Sequence, residues 1–237
     1  ASDYGLYNVV GGIVVMFVFL NNAMMNATQR YLTFELGKNN IEKLNKIFCV
    51  SINIHILIAF VVFLLTETVG LWFLYNKLVI PEGRLEAAFW TLQFSAVATI
   101  FTIVSVPYNA LIIAHEKMSA FAYISIFDAA IKLLVAFLIS ITSFDRLILY
   151  SFLLFVISVI DRIIYNVYCT KHFPESKYKF IKDNALFKEM LGFAGWSLIG
   201  NLAYVGATEG LNIMLNMFFN PVVNAARAIA VQKKGVM

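Results

Sequence analysis

Residues 4–29, between Asp3 and Arg30, form a run of 26 positions without a charged side chain. The pattern recurs at residues 47–66 and again at residues 87–114. Two further apolar stretches, 118–144 and 147–170, are each interrupted by one close pair of charges, and residues 190–208 are charge-free again. A helix of about 20 apolar residues crosses the hydrocarbon core of a bilayer. In lipid every backbone N–H and C=O must find its partner inside the segment, so each stretch is expected to be a helix. The expected fold class is all-α: a polytopic helical membrane protein with six full transmembrane helices. Pro221 opens a seventh apolar stretch, 222–232, which meets Lys233 and Lys234 after about 18 Å of helix, and that stretch is expected to be part of a seventh span.

Composition enters here as a check on that reading. Hydrophobic residues make up 61% of the 237 positions and charged residues only 14%, against about 25% in soluble domains. The formal net charge of +4 is spread over short loops and forms no continuous basic patch, so nucleic acid is not an expected partner. Cys49 and Cys169 stand far apart, and there is no CxxC or Cys/His cluster. Neither a metal site nor a disulfide framework is expected, and no cofactor is called for.

The breaks between spans set an orientation. The odd-numbered breaks hold Arg30, Lys38, Lys43, Lys46, Lys117, Lys171, Lys177, Lys179, Lys182 and Lys188. The even-numbered breaks hold only Lys77, Arg84 and Arg146. Short loops rich in Lys and Arg stay cytoplasmic, so the odd breaks are expected inside the cell and residue 1 outside. A chain that starts outside without a signal peptide is expected to have lost an upstream span, and the truncated seventh span points the same way at the other end. The sequence therefore reads as a fragment of a longer, transporter-sized protein. Two loop segments are amphipathic: Ile41, Leu44, Ile47 and Phe48 on one side, and Leu186, Phe187, Met190 and Leu191 on another. They fit either short interfacial helices or the wet ends of the following spans.

Charges and amides inside the spans are the candidate functional groups, because a charge at mid-bilayer costs about 2.5–3.5 kcal/mol and usually faces a cavity or a partner. Asp128 and Lys132 are four apart, acid first, the favourable order for an intramembrane, intrahelical ion pair. Asp161 and Arg162 are adjacent and point about 100° apart, so snorkelling to the nearby interface is expected of them. Glu209, Asn212 and Asn216 share one helical face, which suits a water-filled cavity or another helix. Arg227 is the only charge between Pro221 and Gln232. Its planar fork of donors suits an anion such as phosphate, or else a pairing with Glu209 or Asp128. Asn22, Asn26 and Arg30 share a face at the end of the first span, where amides serve either a sugar or interhelical bonding. Neither His55 nor His115 has beside it a serine–acid or His–acid arrangement that would suggest catalysis, so an enzyme is not expected. Pro107-Tyr108-Asn109 is expected to kink the third span.

Several runs resemble one family. Ser2-Asp3-Tyr4-Gly5-Leu6-Tyr7-Asn8-Val9-Val10-Gly11 resembles the opening of the second span in bacterial oligosaccharidyl-lipid (Wzx-like) flippases, members of the superfamily that includes the MATE exporters. Val106-Pro107-Tyr108-Asn109 with Ile113-Ala114-His115-Glu116, Phe187-Lys188-Glu189-Met190-Leu191-Gly192-Phe193-Ala194-Gly195-Trp196, and Pro221-Val222-Val223-Asn224-Ala225-Ala226-Arg227 are similar to the same family, in particular its Bacteroidetes members. The resemblance implies a MATE-like lobe: residues 1–183 as spans two to six of the first lobe, and residues 184–237 as span seven and the beginning of span eight. It implies a transporter of the bacterial inner membrane that flips an undecaprenyl-pyrophosphate-linked oligosaccharide for surface polysaccharide or O-antigen synthesis, alongside a polysaccharide assembly machinery. Cavity residues would be Arg227, Glu209, Asn212, Arg30, Asn26 and Asn22, with Arg227 holding the pyrophosphate. The terminal Lys233-Lys234-Gly235-Val236-Met237 departs from the family, which continues apolar there. The alternatives are a MATE-like antiporter driven by H⁺ or Na⁺ and, from another class, a membrane-bound glycan-modifying enzyme.

Overall fold

The computed structural model describes residues 18–76, 80, 83–141, 144–197, 199 and 200, with residues 18–23 and 140 described by their backbone alone. All the secondary structure among them is helical. The helices are α1 (Val18–Gly37), α2 (Ile41–Leu65, continued by a π turn at Thr66–Gly70 and by Leu71–Asn76), α3 (Leu85–Ala114), α4 (Met118–Ile141) and α5 (Arg146–His172). Four stretches are long and apolar enough to cross a membrane: Ile41–Asn76, Leu85–Ala114, Met118–Ile139 and Arg146–His172. The chain divides into two compact units, Ala1–Ala194 and Gly195–Met237. In the second, residues 195–197, 199 and 200 are helical. The seventh stretch and about half of the sixth (198 and 201–208) lie outside the described residues.

Local chemistry explains where the helices begin and turn. Asn39 takes φ 57° in the α1–α2 turn, a left-handed conformation that Asn tolerates. The Asn40 side chain then accepts the Lys43 N–H at 3.0 Å and caps α2. Asp145 caps α5 by accepting the amides of Leu147 at 3.0 Å and Ile148 at 3.3 Å. Glu116, φ 56°, makes the tight reversal between α3 and α4. α3 runs on through Pro107, whose ring nitrogen leaves the Ile103 carbonyl without its usual donor.

The amphipathic segment at 41–48 is the first two turns of α2 itself, with Leu44, Ile47 and Phe48 buried and Ile41 exposed. Residues 184–194 are likewise helical; Met190 and Ala194 are buried, and Leu186 and Phe187 pack on the core shared with α1 and α2. These segments belong to helices packed on the bundle.

α3 is the central helix of the first unit, with α1, α2, α4 and α5 around it. Lipid is as apolar as a leucine side chain, so apolar burial alone does not hold such helices together; close packing and interhelical hydrogen bonds do. Ala27, Ala88 and Ala110 are fully buried and let backbones approach. Thr28 bonds Ser51 across α1 and α2 at 2.8 Å, and Ser151 donates to Thr91 across α5 and α3 at 3.4 Å. Phe48 meets Tyr108 edge to face at 5.1 Å.

The turns 38–40 and 115–117 and the segment 173–183 gather at one end, the basic end. There Asn45 donates to the carbonyls of Glu175 at 2.6 Å and Lys177 at 2.9 Å, and Lys46 pairs with Asp183 at 2.5 Å. His115 pairs with the buried Glu175 at 2.5 Å and stacks on Phe173. At the opposite end Arg84 pairs with Asp145. The expected alternation of loops between two faces holds for the described helices.

Candidate functional site: a polar cavity at mid-membrane depth

Asp128 and Lys132 form the expected pair on α4, Nζ to Oδ2 at 2.7 Å. They do not stand alone. Both line a cavity of about 480 Å³ enclosed by α3, α4 and α5, with Met25 of α1 at its edge. Asp161 of α5 lines it too, and its carboxyl comes within hydrogen-bonding reach of that of Asp128. Thr102, Ser105 and Asn109 of α3, Ser125 of α4, and Ser158 and Tyr165 of α5 complete the polar part of its wall.

Depth follows from helix rise. Asp128 lies ten residues into α4, about 15 Å from the basic end, and Asp161 lies eleven residues before the end of α5, about 16 Å from that same end. A hydrocarbon core of about 30 Å puts both near its middle. A polar cavity at that depth is where transporters bind their substrates and coupling ions.

The charges in the cavity are unbalanced. Two carboxyl groups face one ammonium, so the cluster carries one net negative charge when all three are ionised and none when one carboxyl is protonated. Oδ1 of Asp128, Oδ1 of Asp161 and Oδ1 of Asn109 are buried without a hydrogen-bond partner among the described residues. Two ionised carboxylates both accept and neither donates, so they satisfy each other only when they share a proton. The cavity therefore offers acceptors, and it suits a proton, a cation or a hydroxyl-rich ligand. Among the described residues no group of three His, Cys, Asp or Glu side chains is placed to hold a metal ion.

Asp161 and Arg162 part company. Snorkelling is not what the structure shows for them: Asp161 turns into the cavity, and the Arg162 guanidinium lies over the Tyr108 ring, 4.2 Å from its centroid. The cause is that α5 begins at Arg146, soon after α4 ends at Ile141, and runs back antiparallel to it, which brings Asp161 to the level of Asp128. Asp128 and Asp161 stand at nearly equal sequence distances on either side of Asp145, and that symmetry is the signal the sequence offers.

Other expected site residues fall elsewhere. Arg30 is exposed and sits over the Phe193 ring at 4.4 Å, beside Tyr31, which donates to Glu189 at 3.1 Å. Asn26 is exposed on α1 and does not line the cavity. Asn22 belongs to α1, but its side chain lies outside the described residues, as do Glu209, Asn212, Asn216 and Arg227. His55 is buried within α2, one turn after Ser51, and its Nδ1 lies 2.8 Å from the Ser51 carbonyl, so Nδ1–H is the donor there. No protein-family model, curated protein or solved structure matches this chain.

Proposed function

We propose that this chain is part of a bacterial inner-membrane transporter that flips a lipid-linked oligosaccharide, carried on undecaprenyl pyrophosphate, for surface polysaccharide or O-antigen assembly. On this reading residues 1–183 contribute spans two to six of a MATE-like first lobe, and residues 184–237 begin the second. The chain breaks no bond and is not an enzyme; its partners are the lipid-linked substrate, the bilayer and a polysaccharide assembly machinery. The observation that carries the reading is the mid-membrane cavity with its inward-facing acceptor oxygens. A saccharide headgroup is rich in hydroxyl donors, and it needs such a surface in place of water while its lipid tail stays in the bilayer. The sequence resemblance supports the choice of substrate, with Arg227 as the phosphate-binding group.

A second reading is an antiporter exporting small cationic molecules. The Asp128–Asp161 carboxyl pair favours it, since it offers negative charge to a cation or proton. Deleting the gene in its own host separates the two. The flippase reading expects loss of surface polysaccharide and accumulation of the lipid-linked precursor in the inner leaflet. Restoring the gene with Arg227→Ala should leave export lost, and Arg227→Lys should return part of it, because lysine keeps the charge but not the bidentate fork. Intact polysaccharide in the deletion strain, together with new sensitivity to toxic organic cations, would overturn the flippase in favour of the antiporter.

A further inference from the structure

A second concavity lies far from the ion cluster, on the outer face of α2. Val50, Leu57 and Phe60 form one wall, and Tyr178, Phe180 and Phe187 form the other, around a groove of about 780 Å³. The groove is built into the fold. Asn53 donates to the Ile181 carbonyl at 3.1 Å, and Tyr178 donates its hydroxyl to Asn53 at 2.7 Å, so the 177–183 segment is fastened along α2. Leu57 and Phe60 are exposed, with Val61 and Leu64 continuing the apolar face beyond them. From Val50 to Phe60 the groove extends about 15 Å along α2.

The mouth of this groove is basic. Lys182 and Asp183 line it, and a hollow of about 400 Å³ that shares Ile181 with it holds Lys43, Lys46 and Lys179 with Glu42, so that lysines outnumber carboxylates four to two. Lys43 is taken by Glu35 at 2.8 Å and Lys46 by Asp183 at 2.5 Å. Lys179 and Lys182 have no acidic partner among the described residues and are exposed. A groove with apolar walls on α2 and the 178–187 segment, and with lysines at its mouth, matches a lipid with a negatively charged head.

We propose that this groove binds an anionic glycerophospholipid, with an acyl chain along Val50, Leu57 and Phe60 and the phosphate facing Lys179 and Lys182. Basic pockets at the edge of a helical bundle bind lipid phosphates in this manner. The bound lipid would fix the 177–183 segment against α2. The site is independent of the transport reading.

Native mass spectrometry of the full chain released from detergent tests it, with phosphatidylglycerol and phosphatidylcholine of identical chains as probes. The expected result is retention of phosphatidylglycerol at several-fold lower lipid concentration than phosphatidylcholine. Lys179→Gln with Lys182→Gln should bring that preference down to near parity, whereas Lys171→Gln with Lys188→Gln should leave it. Leu57→Trp, which fills the groove without touching charge, should lower retention of both lipids. Circular dichroism confirms that each variant keeps its helices. Equal retention of the two lipids by the wild-type chain overturns the proposal. So does an equal loss in the two lysine pairs, or displacement of phosphatidylglycerol by millimolar inorganic phosphate, which would mark a site for the phosphate group alone.

Discussion

The α2–α3 seam and the α4–α5 seam use nearly the same apolar residues, and they hold together by different means. In the most apolar windows of α2 and α3, 56% and 50% of residues are buried; in α4 and α5 the shares are 11% and 17%. α2 and α3 meet through small and aromatic side chains, with Ala110, Phe48 and Tyr108 buried between them. α4 presents Leu133, Phe137 and Ile141 outward and turns Asp128 and Lys132 to the cavity beside α5. One seam is specified by shape. The other is specified in large part by charge, and a seam held by charge can respond to a proton or an ion where a close-packed one cannot.

The largest expected effect follows from removing the ammonium of the α4–α5 cluster. Lys132→Ala leaves Asp128 and Asp161 facing each other at mid-membrane with no counter-charge. Breaking such a pair should cost about 3 kcal/mol at neutral pH. Adding Asp161→Asn should return most of that loss, because the remaining carboxylate no longer faces another. Unfolding by a denaturing detergent, followed by circular dichroism, measures both. If Lys132→Ala costs no more than alanine at an exposed apolar site, charge does not specify this seam.

A smaller effect should fall on the other seam. Ala110→Leu inserts three carbons where there is no exposed surface, and overpacking of this kind costs about 1–3 kcal/mol. Ala136→Leu makes the same chemical change on the exposed side of α4 and should stay within about 0.5 kcal/mol. Equal costs would mean that α4 packs more closely than its exposure indicates.

The sequence carried the helices far better than the cavity. The charge-free run at 87–114 and the apolar stretches at 118–144 and 147–170 mark α3, α4 and α5 to within a few residues, because lipid forces helix on long apolar segments. The run at 47–66 underestimates α2, which extends to Ile41 and Asn76; a π turn absorbs Glu67, and the amphipathic start continues the helix without a break. The Asp128–Lys132 pair was legible since both members lie on one helix, at a spacing that fixes their contact. Asp161 was not, because its neighbour Arg162 suggested a local explanation, whereas the real partner stands on another helix. Asn109 was read only as part of a proline kink. Periodicity reports which face of a helix is polar, and not which other helix that face will meet.

The smallest effect should be found at the Arg84–Asp145 clamp, which sharpens the comparison because it is a charged contact outside the apolar zone. Asp145 caps α5 through two amides and also pairs with Arg84. Partial burial alone would raise its pKa above the ordinary carboxylate value of 3.8; the Ile148 amide, Arg84 and the Leu147 amide outweigh that and hold it lower. A depressed folded value means that the stabilisation is complete above the unfolded value and is lost as the pH falls through the folded one. Asparagine caps a helix about as well as aspartate, so Asp145→Asn isolates the pairing. Both side chains are about a third exposed or somewhat less, at 26% for Arg84 and 33% for Asp145, and solvent screens the pair. The expected cost at pH 7 is therefore only about 0.5–1 kcal/mol. The difference between wild type and Asp145→Asn should shrink as the pH falls below 3.8. It should also shrink as salt rises, whereas the Lys132→Ala cost, shielded by lipid, should depend little on salt. Unfolding titrations at low and high salt decide it: a clamp as insensitive to salt as the α4–α5 cluster would place Arg84 and Asp145 in the same dry environment and remove the contrast between the two kinds of ion pair.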